Sequence, residues 1–422
     1  MSFPVRPFLR IIFLLHAITV GWGCGDGSLE KDKIRLVFAV AAGMSERPKY
    51  QAVVDEFVRE NPNVHVQVLE IPGNYYKKLT VMIAGGHPPD LMWMGSGFSE
   101  FAQRDLFLDL TDRIARDVDP RQFPPQTLDW YRFNGKQFGI PFGIDLYFVA
   151  FNKSLFHARN VPYPTRNWTY AEFLDKAQKL TFDDNGDGRI DHYGFRGEMD
   201  ISLFSASTMS LDGQRAFFTS PEVLDYLQVN LDLVQKYHVS PPGSQLPNLV
   251  VDDPVSVFRQ GGAAMMIMAT WDLPFLRERC RDMDWDIATN PVIRRPAHWA
   301  SSQAVLISRT TKQPDLAWTL AKKFLGESFQ RSMADRVLPS NREVARKIVA
   351  ENSDKPRNLA ALVEATDSMY RIPGIPNMTE IGQLWFNTRQ RVFSGRVEPT
   401  QAMAEMQKQV ERLIRDRKRL GQ

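Results

Sequence analysis

The sequence lacks the motifs that mark most enzymes, and it is poor in cysteine. Only Cys24 and Cys280 occur among its 422 residues, so a network of disulfides cannot hold the fold together. There is no Walker loop, dinucleotide-binding fingerprint, G-x-S-x-G elbow or H-E-x-x-H zinc motif. The seven histidines are scattered without metal-ligand spacing. Motif-based evidence for catalysis or for a required cofactor is therefore missing.

The sequence also has little net charge. The formal value is +3, and Arg6 and Arg10 near the N-terminus supply two of these charges. Nucleic-acid binding needs a concentrated basic face, so we expect no nucleic-acid partner. A hydrophobic content of 43% and a charged content of 24% are typical of soluble globular proteins. A chain of 422 residues is too long for one core, which favours two domains.

The longest apolar run near the N-terminus is too short to cross a bilayer. Ile11 to Val20 contains about ten residues, whereas a transmembrane helix needs about twenty. This layout predicts a signal peptide over residues 1–23. Cys24 resembles the lipidated cysteine of bacterial lipoproteins, but Trp22 stands where a small residue is usual, so cleavage without lipidation is the alternative. Residues 24–33 are polar and glycine-rich, as in a tether.

Strand and helix patterns alternate after this tether. Continuous hydrophobicity predicts a buried strand at Ile34 to Val40, and alternation predicts another at Val64 to Val68. Helical spacing occurs from Tyr50 to Val58 and from Tyr75 to Ala84, and a third strand is predicted at Asp90 to Met94. This order predicts an α/β fold, with a parallel sheet covered by helices.

A proline- and glycine-containing segment separates two further predicted strands. Gln137 to Ile140 and Tyr147 to Phe151 have strand patterns, and Pro141 to Asp145 lies between them. Proline removes a ladder donor and glycine loosens the backbone, so we interpret this segment as a hinge, with an ordinary loop as the alternative. Asp145 would then face a crevice at a strand end, where α/β sheets tend to bind ligands.

Several segments together resemble a known family. They read, in chain order, YYKKLTVMIAGGHPPDLMWM, FNGKQFGIPFGIDLYFVAFNKSLF, NWTYAEFLDKAQKLT and RQGGAAMMIMATWDLPF. Their order and spacing are similar to those of the extracellular solute-binding proteins of bacterial ABC importers, within the sugar-binding group that includes the maltodextrin-binding protein. The resemblance covers nearly the whole mature chain. It implies the periplasmic-binding-protein type II fold, in which a hinge joins two α/β lobes with a ligand cleft between them.

The resemblance also implies that the chain crosses the hinge three times. We place the crossings at Pro141 to Asp145, near Pro291 to Ser301 and near Gly326 to Ser328. Lobe one then contains residues 34–143 plus 298–327, and lobe two contains residues 144–297 plus 328–422.

Sugar recognition requires flat aromatic faces together with fixed polar groups. Trp271 follows an apolar strand, Trp385 is on a predicted helix, and Trp93 ends the third predicted strand. The resemblance implies ligand stacking for these residues, and the alternative for each is a core position. Asp145 matches an acidic residue that bonds sugar hydroxyls in relatives. Weaker candidates are Met94, Ser96, Met44, Ser45 and Tyr75; Glu198, Asp200 and Trp299 are possible contacts for which surface or core positions are favoured.

A separate loop has the spacing of a calcium site. Its predicted ligands, at positions one, three, five, seven and nine, are Asp183, Asn185, Asp187, Arg189 and Asp191. Position twelve, which supplies a bidentate glutamate in an EF-hand, is Gly194. We therefore expect weak or absent Ca²⁺ binding, with a solvated turn as the alternative.

These observations predict a monomeric, lipid-anchored protein in the periplasm or at the outer face of the cytoplasmic membrane. It would capture a carbohydrate and deliver it to the permease subunits of an ABC importer. The alternatives are a binding protein for another solute, such as a polyamine or glycerol phosphate, and a carbohydrate-active enzyme that uses Asp145 with Glu198. A phosphate ligand would require clustered Arg or Lys near the site, and the sequence shows no such cluster.

Overall fold

A computed structural model describes residues 33–41, 46–210, 213–243, 253–371 and 378–419. The predicted signal peptide, almost all of the tether, and the candidates Cys24, Met44 and Ser45 lie outside these ranges. The strands are β1 Ile34–Val40, β2 Val64–Glu70, β3 Leu91–Met94, β4 Arg132–Phe133, β5 Lys136–Gln137, β6 Gly139–Asn152, β7 Tyr193–Arg196, β8 Ala263–Ala269, β9 Trp285–Ala288, β10 His298–Ile307, β11 Leu338–Pro339 and β12 Met369–Arg371.

The helices surround these strands. They are α1 Arg47–Glu60, α2 Tyr75–Ala84, α3 Phe98–Ala102, α4 Thr111–Asp117, α5 Lys153–Ala158, α6 Tyr170–Lys179, α7 Pro221–Gln235, α8 Pro254–Arg259, α9 Leu273–Arg279, α10 Pro314–Lys323, α11 Glu327–Met333, α12 Arg342–Glu351, α13 Ala360–Ala365, α14 Met378–Phe393 and α15 Pro399–Arg419. Within the described ranges, none of them combines the length and apolar character needed to cross a membrane.

The first predicted βαβαβ unit is confirmed. β1 pairs in parallel with both β2 and β3, and α1 and α2 connect these strands. Helix α1 buries Tyr50, Val53, Val54 and Phe57, which is the apolar stripe that helical spacing predicts. This unit forms one end of the main sheet.

The main sheet contains two halves that share its central strands. Its order is β2-β1-β3-β10-β6-β8-β7. β10 runs antiparallel to both β3 and β6, and β6 runs antiparallel to β8. The half around β1 is therefore connected to the half around β8 through β6 and β10.

Strand β6 corrects one prediction, because Pro141 to Asp145 does not separate two strands. Whether this segment acts as a hinge stays a prediction. The backbone is continuous strand from Gly139 to Asn152, and all but one of these residues are buried. Its partners change along its length: the first half pairs with β10, and the residues from Tyr147 onward pair with β8 and β9. Proline is tolerated here because Pro141 pairs with Ala304 next to a register shift between Gln303 and Ala304, as at a β-bulge.

Gly143 permits a close approach in this segment. A Cβ atom at this position would lie 2.7 Å from Cγ2 of Val337. A larger residue here would require Val337 or the backbone of β6 to shift.

Both faces of each half are covered by apolar side chains. In the half around β1, one core contains Phe57 and Trp318, and another contains Phe101 and Phe107. The half around β8 likewise has a core on each side of its strands. This packing explains why the strands read as continuous apolar runs.

Core packing indicates where the chain crosses from one half to the other for the third time. Phe329, Met333 and Val337 pack in the core of the half around β1, although these residues were predicted to belong to lobe two. β11 then pairs with β6 at Ile144 and Gly143. This packing favours a third passage at β11 rather than near Gly326, and the lobe boundaries stay a prediction.

Candidate functional site

The candidate site lies where β6 and β10 connect the two halves. Ser301 pairs directly with Asp145, and Ala300 pairs with Leu146. Side chains alternate between the faces of a sheet, so Asp145 and Tyr147 share a face with Ser301 and Trp299. The strand register thus places a carboxyl group and two aromatic rings side by side.

Three half-buried aromatic rings, of Tyr147, Trp271 and Trp299, form what we call the aromatic cluster. The Tyr147 and Trp299 rings are stacked, with centroids 4.4 Å apart. Trp271 packs edge-on against both, at 5.8 Å from Tyr147 and 6.0 Å from Trp299. Because Ala269 of β8 pairs with Tyr147, the short turn that follows β8 carries Trp271 to this position.

Asp145 lies beside the aromatic cluster, and the donors that bond its carboxylate among the described residues are neutral. Its carboxylate accepts hydrogen bonds from Thr270 Oγ1 at 3.3 Å, Ser301 Oγ at 3.4 Å and Gln303 Nε2 at 3.1 Å. It is 5% exposed. Burial raises the pKa of Asp145 to about 6, although the Gln303 hydrogen bond and the positive charge of Arg336 oppose this effect. At pH 7 the group is thus mainly an ionised acceptor in a poorly hydrated place.

Gln303 extends this network into the half around β1. While its Nε2 donates to Asp145, its Oε1 accepts a hydrogen bond from Trp93 Nε1 at 3.2 Å. Trp93 is half-buried and packs edge-on against Tyr75, with ring centroids 5.6 Å apart. The network therefore runs from β3 through β10 and β6 to Thr270 after β8.

A second acidic group, Glu198, lies in the loop after β7 and interacts electrostatically with Tyr147 of the aromatic cluster. Glu198 forms an ion pair with Arg389 of α14, with Oε1 and Nη1 2.5 Å apart. Burial raises the pKa of Glu198 to about 7, and Arg389 opposes this effect. Burial also raises the pKa of Asp200. The negative charges of Asp200 and Glu198 contribute, after burial, to a raised pKa of Tyr147, which places both carboxyl groups near the cluster.

Trp385 lies one helical turn before Arg389 on α14. Its half-buried ring packs against Phe218 and Tyr226, at centroid distances of 5.7 Å and 6.0 Å. The Arg389 guanidinium lies 5.1 Å from the ring centroid, within the range of a cation–π contact. Much of the ring is therefore already in contact with protein, and a ligand contact by Trp385 stays a prediction.

The other predicted contacts from the half around β1 are in different surroundings. Met94 has no exposed surface, and Tyr75 is 5% exposed. The Tyr75 hydroxyl donates to the carbonyl oxygens of Trp93 at 2.8 Å and Ala39 at 3.3 Å. Ser96 is exposed and lies near the Tyr76 hydroxyl. The structure thus gathers Asp145, Trp271 and Trp93 but gives Met94 no surface for a ligand.

The sequence-based list missed three residues of this site. Tyr147 could have been found, because a residue two positions after Asp145 on a strand lies on the same face. Gln303 is a polar residue in a buried strand, which calls for a specific partner. Arg389 lies four residues after Trp385 and therefore on the same side of α14.

The side-chain oxygen atoms of the predicted calcium loop accept hydrogen bonds from backbone N–H groups of the same loop. The Asp183 carboxylate accepts N–H groups of Gly186 and Gly188, each at 2.7 Å. A Cβ atom at Gly194 would lie 1.9 Å from the Ala177 carbonyl oxygen, so a glutamate at position twelve would require the backbone of α6 to move. Three other predicted ligands accept backbone N–H groups in the same way: Asn185, Asp187 and Asp191.

The residues present therefore do not fit the complete EF-hand ligand set. In the part of the chain that the structure describes, no group of three or more His, Cys, Asp or Glu residues is arranged to hold a metal ion. Weak Ca²⁺ binding by this loop stays a prediction.

Comparison with known proteins agrees with this architecture. The family model described as bacterial extracellular solute-binding protein matches residues 41–330. A Brucella abortus protein named as a binding protein is 23% identical over 367 residues, which cover 83% of this chain and 86% of the relative.

Solved structures with the same fold cover nearly the whole chain. A Listeria monocytogenes ABC substrate-binding protein has a TM-score of 0.76 at 22% identity, over 91% of this chain and 99% of the other. The maltose/maltodextrin-binding domain of Bdellovibrio bacteriovorus has a TM-score of 0.69 at 20% identity, over 90% and 100%. These matches confirm the predicted type II periplasmic-binding-protein fold. Since the family model covers well over half of the sequence, the chain belongs to the family of bacterial extracellular solute-binding proteins.

Proposed function

We propose that the protein captures a carbohydrate outside the cytoplasm and delivers it to an ABC import permease. The observation that carries this proposal is the aromatic cluster beside Asp145, where β6 and β10 connect the two halves and the turn after β8 adds Trp271. Proteins with the same fold support it, since their descriptions name cycloalternan, tagatose and maltotriose as bound ligands.

The chemistry of these groups suits a polyhydroxylated ring. Indole and phenol faces pack against the apolar C–H faces of a sugar. The Asp145 carboxylate can accept hydroxyl hydrogens through charge-assisted bonds. Glu198 and Asp200 add further acceptors, and Arg389 adds a donor. Because acidic groups predominate around the cluster, a phosphorylated solute is a poorer match than a neutral carbohydrate.

The position of the site also suggests how binding leads to delivery. A ligand that contacts groups from both halves favours the arrangement in which both contacts form. Movement about β6 and β10 would then close the halves around the ligand, in the manner of hinge closure. The permease would distinguish the liganded form by that arrangement.

We infer the cellular setting from the sequence. Residues 1–23 would direct export, and acylated Cys24 would hold a monomeric mature chain at the outer face of the cytoplasmic membrane. The protein would act as a carrier and not as an enzyme.

The test is calorimetric titration of the purified chain with maltotriose, mannotriose, cycloalternan and tagatose, together with chromatography of each sugar after incubation. We expect saturable binding of at least one sugar and no change in its length. Absence of binding to every sugar would contradict the carbohydrate proposal. Release of shorter sugars would instead support a carbohydrate-active enzyme.

A further inference from the structure

Gln303 connects two predicted ligand-binding residues that belong to different parts of the sheet. It lies on β10, between β3 and β6, and is 6% exposed. Its side chain contacts Trp93 of β3 and Asp145 of β6. A buried polar side chain in such a strand is costly unless both of its ends are bonded.

The chemistry of the two contacts requires an amide. The indole N–H of Trp93 can only donate, and an ionised Asp145 can only accept. Glutamine satisfies both at once, because its Oε1 accepts from Trp93 and its Nε2 reaches both carboxylate oxygens, at 3.4 Å and 3.1 Å. Leucine would satisfy neither contact, and glutamate would place a second carboxyl group against Asp145.

We propose that Gln303 is a positioning residue of the ligand site, which keeps Asp145 as a hydrogen-bond acceptor and links its ionisation to the Trp93 indole. This inference rests on the proposed function for its meaning, since it explains how Asp145 stays ready to accept a sugar hydroxyl. Without Gln303, burial would act on Asp145 with less opposition, and the neutral acid would persist to higher pH.

Two other ionisable groups, Arg336 and Tyr50, interact electrostatically with Asp145. The charge of Arg336 lowers the pKa of Asp145, but Arg336 is ion-paired with Glu46. The pKa of Tyr50 is raised by burial and by the negative charges of Glu46 and Asp145, so Tyr50 stays neutral across the range of interest. Gln303 is therefore the neutral donor on which the protonation state of Asp145 depends most directly.

The test follows the indole N–H resonance of Trp93 by ¹⁵N NMR between pH 4.5 and 8.5, without ligand. The resonance is assigned by its loss in Trp93→Phe. In the unmodified chain we expect it to shift with a midpoint near the pKa of Asp145, about 6. The shift should vanish in Asp145→Asn, and in Gln303→Leu the resonance should move to a position that no longer depends on pH.

Gln330→Leu is the matched control. Gln330 is 1% exposed, donates to the Leu325 carbonyl oxygen at 2.9 Å and accepts from the Asn341 N–H at 2.9 Å. Its replacement removes a comparable buried amide, and the titration of the Trp93 resonance should persist. If Gln303→Leu does not fold, comparison of the unmodified chain with Asp145→Asn still decides whether the indole reports Asp145.

A second measurement uses maltotriose as the probe. In Gln303→Leu we expect the affinity for maltotriose to depend on pH with a midpoint at least half a pH unit higher than in the unmodified chain, so that raising the pH restores binding. A merely structural role of Gln303 would weaken binding equally at every pH. A pH-independent Trp93 resonance in the unmodified chain, or one that still titrates in Gln303→Leu, would overturn the inference. A titrating resonance in a protein that binds none of the test sugars would instead overturn the proposed function and leave the role of Gln303 intact.

Discussion

Replacing Asp145 by asparagine should stabilise the ligand-free protein above neutral pH. The pKa of Asp145 is about 6 when folded, against an ordinary value of 3.8. The folded state therefore binds this proton more tightly than the unfolded state, and the associated stability is lost as the pH rises through about 6. At pH 8, ionisation of Asp145 has lowered the free energy of unfolding by about 3 kcal/mol. Asparagine carries no charge, but it weakens the existing bonds by about 1 kcal/mol, which leaves a gain of about 2 kcal/mol.

The assay is thermal unfolding at pH 8 and pH 5. For a unit the size of one half, about 2 kcal/mol corresponds to a rise in Tm of about 4–8 °C at pH 8. At pH 5 the carboxyl is largely protonated in the folded state, so the advantage of asparagine should shrink by about 1.4 kcal/mol. An unchanged or lower Tm at pH 8, or the same shift at both pH values, would refute this reasoning.

A buried carboxylate outside the site provides the control for this comparison. Asp286 accepts N–H groups from Ile287 and Asn358, each at 2.9 Å. Asparagine at this position could still accept these N–H groups through its Oδ1, but the bonds would lose their charge assistance. Asp286→Asn should therefore lower the Tm at both pH values, in contrast to Asp145→Asn.

Three further predictions concern the aromatic cluster, the buried ion pair and the calcium loop. Trp271→Ala should weaken carbohydrate binding by tenfold or more in calorimetry and leave the circular dichroism spectrum unchanged. Phe275→Ala, which removes a ring that is 45% exposed, should not weaken binding. Equal affinities of the two variants would remove Trp271 from the site. Arg389→Met should leave Glu198 as an unpaired buried carboxylate, and urea unfolding at pH 8 should show a free energy of unfolding lower by about 3 kcal/mol. Most of this loss should be recovered below pH 5, where Glu198 is neutral. A loss that does not depend on pH would contradict this prediction. Replacing EGTA by 1 mM CaCl₂ should change the Tm by less than about 1 °C, since the Asp183 loop lacks the twelfth ligand; a rise of several degrees would show a functional calcium site.

The pattern of the sequence predicted the parts of the fold that depend on local periodicity. The strands β1 to β3 and the helices between them follow from apolar spacing. Trp271 and Asp145 were predicted as ligand contacts because each was expected at a strand end, and their role in binding stays a prediction; Asp145 in fact lies within β6. Their proximity in the structure depends on the pairing of β8 and β10 with β6, which involves residues more than a hundred positions apart.

The continuity of β6 could not be predicted from local rules. Pro141 and Gly143 normally interrupt strands, and this reasoning led to a hinge segment between two separate strands, with an ordinary loop as the alternative. In the folded chain, the register shift between Gln303 and Ala304 accommodates the proline, and Val337 packs where a Cβ of residue 143 would lie. Both features depend on neighbours that are distant in sequence, so only the tertiary structure reveals them.

The same tertiary arrangement explains why a carboxylate that costs stability belongs at this place. Asp145 is on the strand shared by both halves, and Gln303 bonds it to Trp93 while Thr270 bonds it beside Trp271. A ligand hydroxyl that donates to Asp145 would add a bond to an ionised group that burial has deprived of water, and such charge-assisted bonds are stronger than neutral ones. If Asp145 binds the ligand as proposed, the free energy spent on burying its charge would increase the gain on binding. Asp145→Asn should consequently raise stability and lower carbohydrate affinity together, which distinguishes a ligand-accepting carboxylate from one that serves the fold.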